Sequence, residues 1–145
     1  MKAMVIADFG GSEVFEGRDV AKPQPMPSEV LVRVHATSVN PVDVSIRKSG
    51  SWAGVSPPAI IGYDVSGVVE AVGEEVEDFE EGDEVFYTPE IFEGQGANAE
   101  YHVASEEIVA HKPPSLSHVE AASLPLVGGT AYDAFATSLR PFTIW

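Results

Sequence analysis

Residues 57–86 read PPAIIGYDVSGVVEAVGEEVEDFEEGDEVF, and the fold turns on them. Val65, Gly67, Val69 and Ala71 alternate with Asp64, Ser66, Val68 and Glu70, the period of two that puts successive side chains on opposite faces of a strand. Gly62, Gly67 and Gly73 punctuate the run, and a glycine inside a strand pattern marks a bulge, a corner or a close backbone approach. Gly82-Asp83 makes a turn, after which Glu84 to Tyr87 forms a second, short strand. A small, strongly bent barrel needs this arrangement.

Upstream of it, Lys2 to Phe9 reads as a first strand closed by Gly10-Gly11, and Val14 to Val20 as a shorter edge strand. The connector Lys22-Pro23-Gln24-Pro25-Met26-Pro27 is extended, because proline lacks the amide donor that a helix or central strand requires. Glu29 to Val39 is the clearest strand, with Val30, Val32, Val34 and Ala36 on one face and Leu31, Arg33 and His35 on the other. His35 reads as a sheet-surface residue. Asn40 and Pro41 are the cap and first position of a short helix to Lys48. Ser49 to Ser56 is a loop whose Trp52 either walls a pocket or covers the core.

Downstream, Pro89 to Asn98 is a loop, and Ala99 to Ala104 and Ile108 to His111 are strands. Lys112-Pro113-Pro114 ends the barrel. Ser117-x-x-Glu120 is a capping box that opens a helix running to Leu124, and a second helix is expected from Thr130 to Leu139. There are no internal repeats.

The chain has 145 residues, enough for one domain with a real core. It has no Cys, which removes disulfides, thiolate metal sites and thiol catalysis together. Its net charge of -15, from 23 acidic and 8 basic residues, disfavours nucleic acid and anionic membranes, both of which demand clustered cations. The dense acidic run from Glu74 to Asp83 reads as a solvated loop, since no D-x-D-x-D-G calcium loop is present. Self-repulsion on this scale is tolerable when screened, so a high-salt cytoplasm is expected. No stretch is long and apolar enough for a signal peptide or a membrane span.

The pattern P-x-I-x-G-x-D-x-x-G-x-V-x-x-V-G with its following G-D-E-V resembles the medium-chain dehydrogenase/reductase superfamily, and more narrowly its zinc-free, zeta-crystallin-like quinone oxidoreductases. Ser38-Val39-Asn40-Pro41-Val42-Asp43 and Leu124-Pro125-Leu126-Val127-Gly128-Gly129-Thr130-Ala131-Tyr132 agree with it in order and spacing. The resemblance implies a mainly β fold, a partly open GroES-like barrel with short helices. It implies a catalytic domain over residues 1–126, with residues 127–145 beginning the link to a nucleotide-binding domain beyond this chain. No G-x-G-x-x-G turn for a dinucleotide is present, so the chain alone is expected to bind NADPH poorly and to lack activity.

Zinc-dependent relatives hold a catalytic metal by Cys, His and Cys; the matching positions here are Asn40, Tyr63 and Leu126. That is no zinc ligand set, and His35, His102, His111 and His118 show no zinc-binding spacing. The expected chemistry is therefore metal-free reduction of a quinone or enone by NADPH. Asn40 resembles the family's nicotinamide-side asparagine, its amide donating to substrate or cofactor, or serving as a helix cap. Thr130 resembles the threonine near the nicotinamide carboxamide, or caps a helix. Tyr63 is a candidate proton donor, and Trp52 and Leu126 candidate walls of the substrate pocket. Leu124, Leu126, Val127, Phe135, Leu139, Phe142, Ile144 and Trp145 would expose an apolar face, so a homo-oligomer is expected. Two other readings stay open: a metal-free alcohol dehydrogenase-like oxidoreductase, and a barrel that binds a ligand or partner without catalysis.

Overall fold

The computed structural model describes residues 1–92 and 94–138. Residues Leu139, Phe142, Ile144 and Trp145 of the expected apolar face lie outside them. Among the described residues eight strands form two antiparallel sheets: β1 (Lys2–Ile6), β2 (Phe15–Asp19), β3 (Glu29–Ala36), β4 (Ala59–Ile60), β5 (Val65–Val72), β6 (Glu84–Tyr87), β7 (Tyr101–Ser105) and β8 (Ala110–His111). The smaller sheet runs β2-β1-β4 and the larger β7-β3-β5-β6-β8. Residues 98–100 stitch the two together. Met4 N–H donates to Asn98 O at 2.8 Å, Glu100 N–H to Lys2 O at 3.0 Å, and Val34 N–H to Glu100 O at 2.9 Å. The result is a bent, partly open barrel, and the domain is mainly β.

The stretch quoted first feeds every part of the interior. Ile60 joins Ala3 and Val5. Ile61 and Tyr63 join Ile6, Ile46, Ala53 and Val55. Val65 and Val69 join Val30, Val32, Val85, Tyr87, Ala97 and Ala104. One short segment visits three clusters because it turns sharply at Gly62, whose φ of +117° is costly for any residue with a Cβ. Further on, β5 crosses β3 so closely that a Cβ on Gly67 would stand 2.3 Å from Arg33 O. The β3–β5 register slips on either side of this crossing, between Leu31 and Val32 and between Val34 and Ala36. These bulges bend the sheet into a barrel wall.

The bends also change what alternation means. Val30, Leu31 and Val32 are all buried, although Leu31 falls on the opposite face by period. β3 is an interior strand covered on both sides at this end, and it stops at Ala36 rather than Val39. Val14 lies in a 3₁₀ turn before β2, and Ile108 in another before β8, which keeps only Ala110 and His111.

Three helices flank the sheets: α1 (Pro41–Ser49), α2 (His118–Ala122) and α3 (Pro125–Ser138). The capping box of α2 is present, with Ser117 N–H donating to Glu120 Oε2 at 2.9 Å and Glu120 N–H to Ser117 Oγ at 3.3 Å. Leu124 lies beyond the end of α2. The last helix starts at Pro125, five residues before the expected Thr130, and runs through Gly128-Gly129. Two glycines lower helix propensity, but proline at the first position and the bond from Leu126 N–H to Asp64 favour the start. The 126/127 division therefore falls within the first turn of α3.

Candidate active site

The site residues come from three segments that the fold brings around one carboxylate. Asp64 lies between the Gly62 turn and β5 and is fully buried. Its Oδ2 accepts from Ser38 Oγ at 2.5 Å and from Asn40 Nδ2 at 2.7 Å, and its Oδ1 accepts from Leu126 N–H at 2.8 Å. The last bond places an anion at the first turn of α3, where free N–H groups and the helix dipole favour negative charge. Thr130 Oγ1 donates to Leu126 O at 2.8 Å, one turn on. Asn40, Leu126 and Thr130 are thus joined through Asp64 in one hydrogen-bonded chain.

Asn40 occupies the cap position of α1 and forms a capping box with Asp43, which reaches back from the first turn to accept from Asn40 N–H at 2.8 Å. The Asn40 amide nitrogen is committed to Asp64 and, at 3.3 Å, to Ser38 Oγ. What Asn40 has left to offer is its carbonyl oxygen, an acceptor. Burial pushes the Asp43 carboxyl above the usual carboxylate range, and the neighbouring Asp64 charge adds to this.

Tyr63 is fully enclosed, packed with Ile6, Ile46, Ala53, Val55 and Ile61, and Leu126 lies against the same cluster. The three positions singled out by the zinc comparison therefore converge. The Tyr63 hydroxyl is buried and finds no hydrogen-bond partner among the described residues. Desolvation, with the nearby Asp43 charge, pushes its pKa up to about 12, so it stays protonated at neutral pH. A protonated, buried phenol, an amide already engaged and a leucine do not make a zinc donor set. Among the described residues no group of three or more His, Asp or Glu is placed to hold a metal.

Trp52 does not cover the core. It is 51% exposed and meets Phe92, 65% exposed, edge to face with ring centroids 6.2 Å apart. Its neighbour Ala53 belongs to the Tyr63 cluster, and Ile91 packs against that cluster, so the aromatic pair flanks the site on the outside. Thr130 is exposed in the second turn of α3 and is not a cap. A cavity of about 860 Å³ lies elsewhere, between β1, β2 and the end of β3. It contains none of Asn40, Tyr63, Asp64, Leu126 and Thr130, so the convergence of side chains marks the site better than the hollow does.

Ser38, Asp43 and Asp64 all stand inside the motifs, yet their contributions were not evident from spacing. One signal was available: a lone aspartate in the apolar run Ile60 to Val69 has to find donors wherever it is buried.

Residues 26–114 match the alcohol dehydrogenase GroES-like domain. The chain is 44% identical over 128 residues to a zinc-type alcohol dehydrogenase-like protein of Staphylococcus aureus, a match covering 88% of this chain and 36% of that protein. It is 40% identical over 138 residues to an NADPH-dependent alkenal/one oxidoreductase of Arabidopsis thaliana, covering 90% of this chain and 36% of that one. Among solved structures, the quinone oxidoreductase of Coxiella burnetii superposes with a TM-score of 0.89 at 33% identity, over 94% of this chain and 44% of that one. The chain thus spans little more than a third of the length of these curated relatives. It belongs to the alcohol dehydrogenase GroES-like domain family, within the medium-chain dehydrogenase/reductase superfamily.

Proposed function

We propose that this chain is the catalytic-domain portion of a zinc-independent, NADPH-dependent oxidoreductase that reduces quinones or enones. One observation carries the reading. Three positions that would hold zinc in metal-dependent relatives are Asn40, Tyr63 and Leu126, and they meet at a site whose free chemistry is one acceptor and one protonated donor. Relatives named for alkenal/one and quinone reduction support the same class of acceptor. The zinc-type name of the Staphylococcus relative does not extend here, because these side chains do not fit the metal.

Reduced nicotinamide would supply the hydride. Asn40 Oδ1 and the lone pairs of Thr130 Oγ1 are placed to accept from a carboxamide. The Tyr63 hydroxyl is a buried donor without a partner among the described residues, available to a developing oxyanion, and its high pKa keeps the proton in place until the acceptor takes charge. Trp52 and Leu126 offer apolar surface to a flat acceptor.

The test is a titration of NADPH fluorescence, followed by a simple quinone, with the 145 residues alone and joined to the nucleotide-binding half of a relative. Weak binding by the first and turnover by the second, unchanged by a chelator, is the expected result. Alcohol oxidation alone, or activity lost on chelation and restored by zinc, overturns it.

The acidic surface and the exposed Leu124, Val127, Tyr132 and Phe135 of and beside α3 support two further readings: a high-salt cytoplasm, and self-association through this helix. Sedimentation and unfolding from low to molar KCl address both. A monomer throughout, with stability indifferent to salt, would remove them.

A further inference from the structure

We infer that Asp64 is the positioning residue of this site: it decides which end of the Asn40 amide faces the ligand, and it registers Asn40 against Thr130. This rests on the reading above only in taking Asn40 and Thr130 as cofactor-facing. A carboxylate accepts and cannot donate, so the Asn40 group turned toward Asp64 at 2.7 Å must be the NH₂, and the carbonyl oxygen is forced to the other side. The other Asp64 oxygen takes Leu126 N–H, and Leu126 O takes the Thr130 hydroxyl, so a single anion holds both candidate ligand contacts to one frame. Ser38 Oγ supplies the third donor.

No Lys or Arg forms an ion pair with Asp64 among the described residues, and its charge is met by these three donors. For stability alone, an apolar residue at this fully buried position would serve as well or better. An acceptor-only group between an amide and a helix start does something an apolar residue cannot: it removes the choice of amide orientation. Two partners lie 24 and 62 residues away in sequence, so the frame exists only in the folded chain.

The test uses ¹⁵N,¹³C-labelled protein: the couplings are read in the 145 residues, and NADPH binding in the chain joined to the nucleotide-binding half of a relative. In the native protein, couplings across hydrogen bonds from Asn40 Nδ2 and from the Leu126 amide nitrogen are expected to end on the same carbon, the Asp64 carboxyl. Couplings to different carbons, or none from Asn40, overturn the proposal without any variant having to fold. Asp64→Asn can accept and donate, so it is expected to move the Asn40 side-chain signals and to weaken NADPH binding by about tenfold or more, the scale of one charge-assisted hydrogen bond. Arg18→Ala, on the exposed β2 strand and outside the site, is expected to leave both nearly unchanged. Equal effects of the two variants on NADPH binding would reduce Asp64 to a packing role and overturn the proposal. If NADPH perturbs neither Asn40 nor Thr130 signals in the joined enzyme, the cofactor reading fails while the couplings still report on the frame.

Discussion

Two tyrosines are buried in this domain, in different core clusters, and their hydroxyls have opposite fates. Tyr87, in β6, is buried among Val30, Val65 and Val85, and its hydroxyl meets His102 Nδ1 at 2.9 Å. His102 Nε2 lies 2.9 Å from Gln95 O. A carbonyl only accepts, so Nε2 carries the proton, and Nδ1 must then accept from Tyr87. Every polar group in this chain of contacts is satisfied. Tyr63 sits about as deep, between β4 and β5, and its hydroxyl has no partner among the described residues. One half of the barrel is built to be stable. The other retains an unmet donor beside the residues proposed to handle substrate, the kind of cost that native structures accept mainly where a ligand or water will meet it.

Replacing each tyrosine by phenylalanine puts this contrast to its hardest test. Tyr87→Phe leaves buried His102 Nδ1 without its donor and should cost about 1–3 kcal/mol in chemical denaturation. A loss near zero there would mean that the His102 network does not stabilise the fold. An acid step of smaller size is expected from the same network. Burial holds the His102 imidazole below the ordinary 6.5, and His118 is lowered too, by desolvation and by the nearby His35 charge. The unfolded chain therefore binds protons that the fold does not. This source of instability is absent well above 6.5, appears as the pH falls below that value, and is complete below the depressed folded values. Unfolding free energies at about pH 7.5 and 5.5 should show it, and His102→Gln should flatten the difference. Identical slopes would assign the acid loss to other groups. The smallest effect, with reversed sign, belongs to Tyr63→Phe. Removing an unpaired buried hydroxyl should leave stability within about 1 kcal/mol of the native protein or slightly above it. In the joined, active enzyme it should lower kcat for a quinone while stability holds. A Tyr63→Phe loss as large as that of Tyr87→Phe would erase the distinction between the two halves.

Two lysines show a similar division of labour. Lys22 spans Glu70 at 2.9 Å and stacks over the Tyr101 ring at 3.8 Å, tying the proline connector to β5 and β7. Exposed pairs of this kind contribute little each. Lys112 is different: it is almost wholly enclosed, donates to Pro113 O and Leu116 O, and reaches Glu84 at 3.1 Å, fastening the turn into α2 onto β6.

Local chemistry made much of this legible in the sequence. The glycine spacing in residues 57–86, the Gly82-Asp83 turn, the proline connector, the Asn40-Pro41 helix start and the Ser117–Glu120 capping box each act over a few residues, and each appears in the fold. Period-two reading failed at Leu31, where bulges let both faces of β3 be covered, and the start of α3 was misplaced because Gly128-Gly129 resembled a break. The motifs likewise brought Asn40, Tyr63, Leu126 and Thr130 into view, since residue type and order are properties of the chain.

How those residues are used is a property of space. Asn40 and Asp64 are 24 residues apart and Asp64 and Leu126 are 62 apart, so no local pattern could say that the Asn40 amide is already engaged, or that an aspartate on β5's approach holds the start of α3. Nor could it separate Tyr87 from Tyr63. The sequence by itself determined a bent, mainly β barrel with a metal-poor donor set, because turns, caps and side-chain chemistry act locally. Only the tertiary structure decided which donors are met and which stand free, because a buried polar group finds its partner among residues distant in the chain.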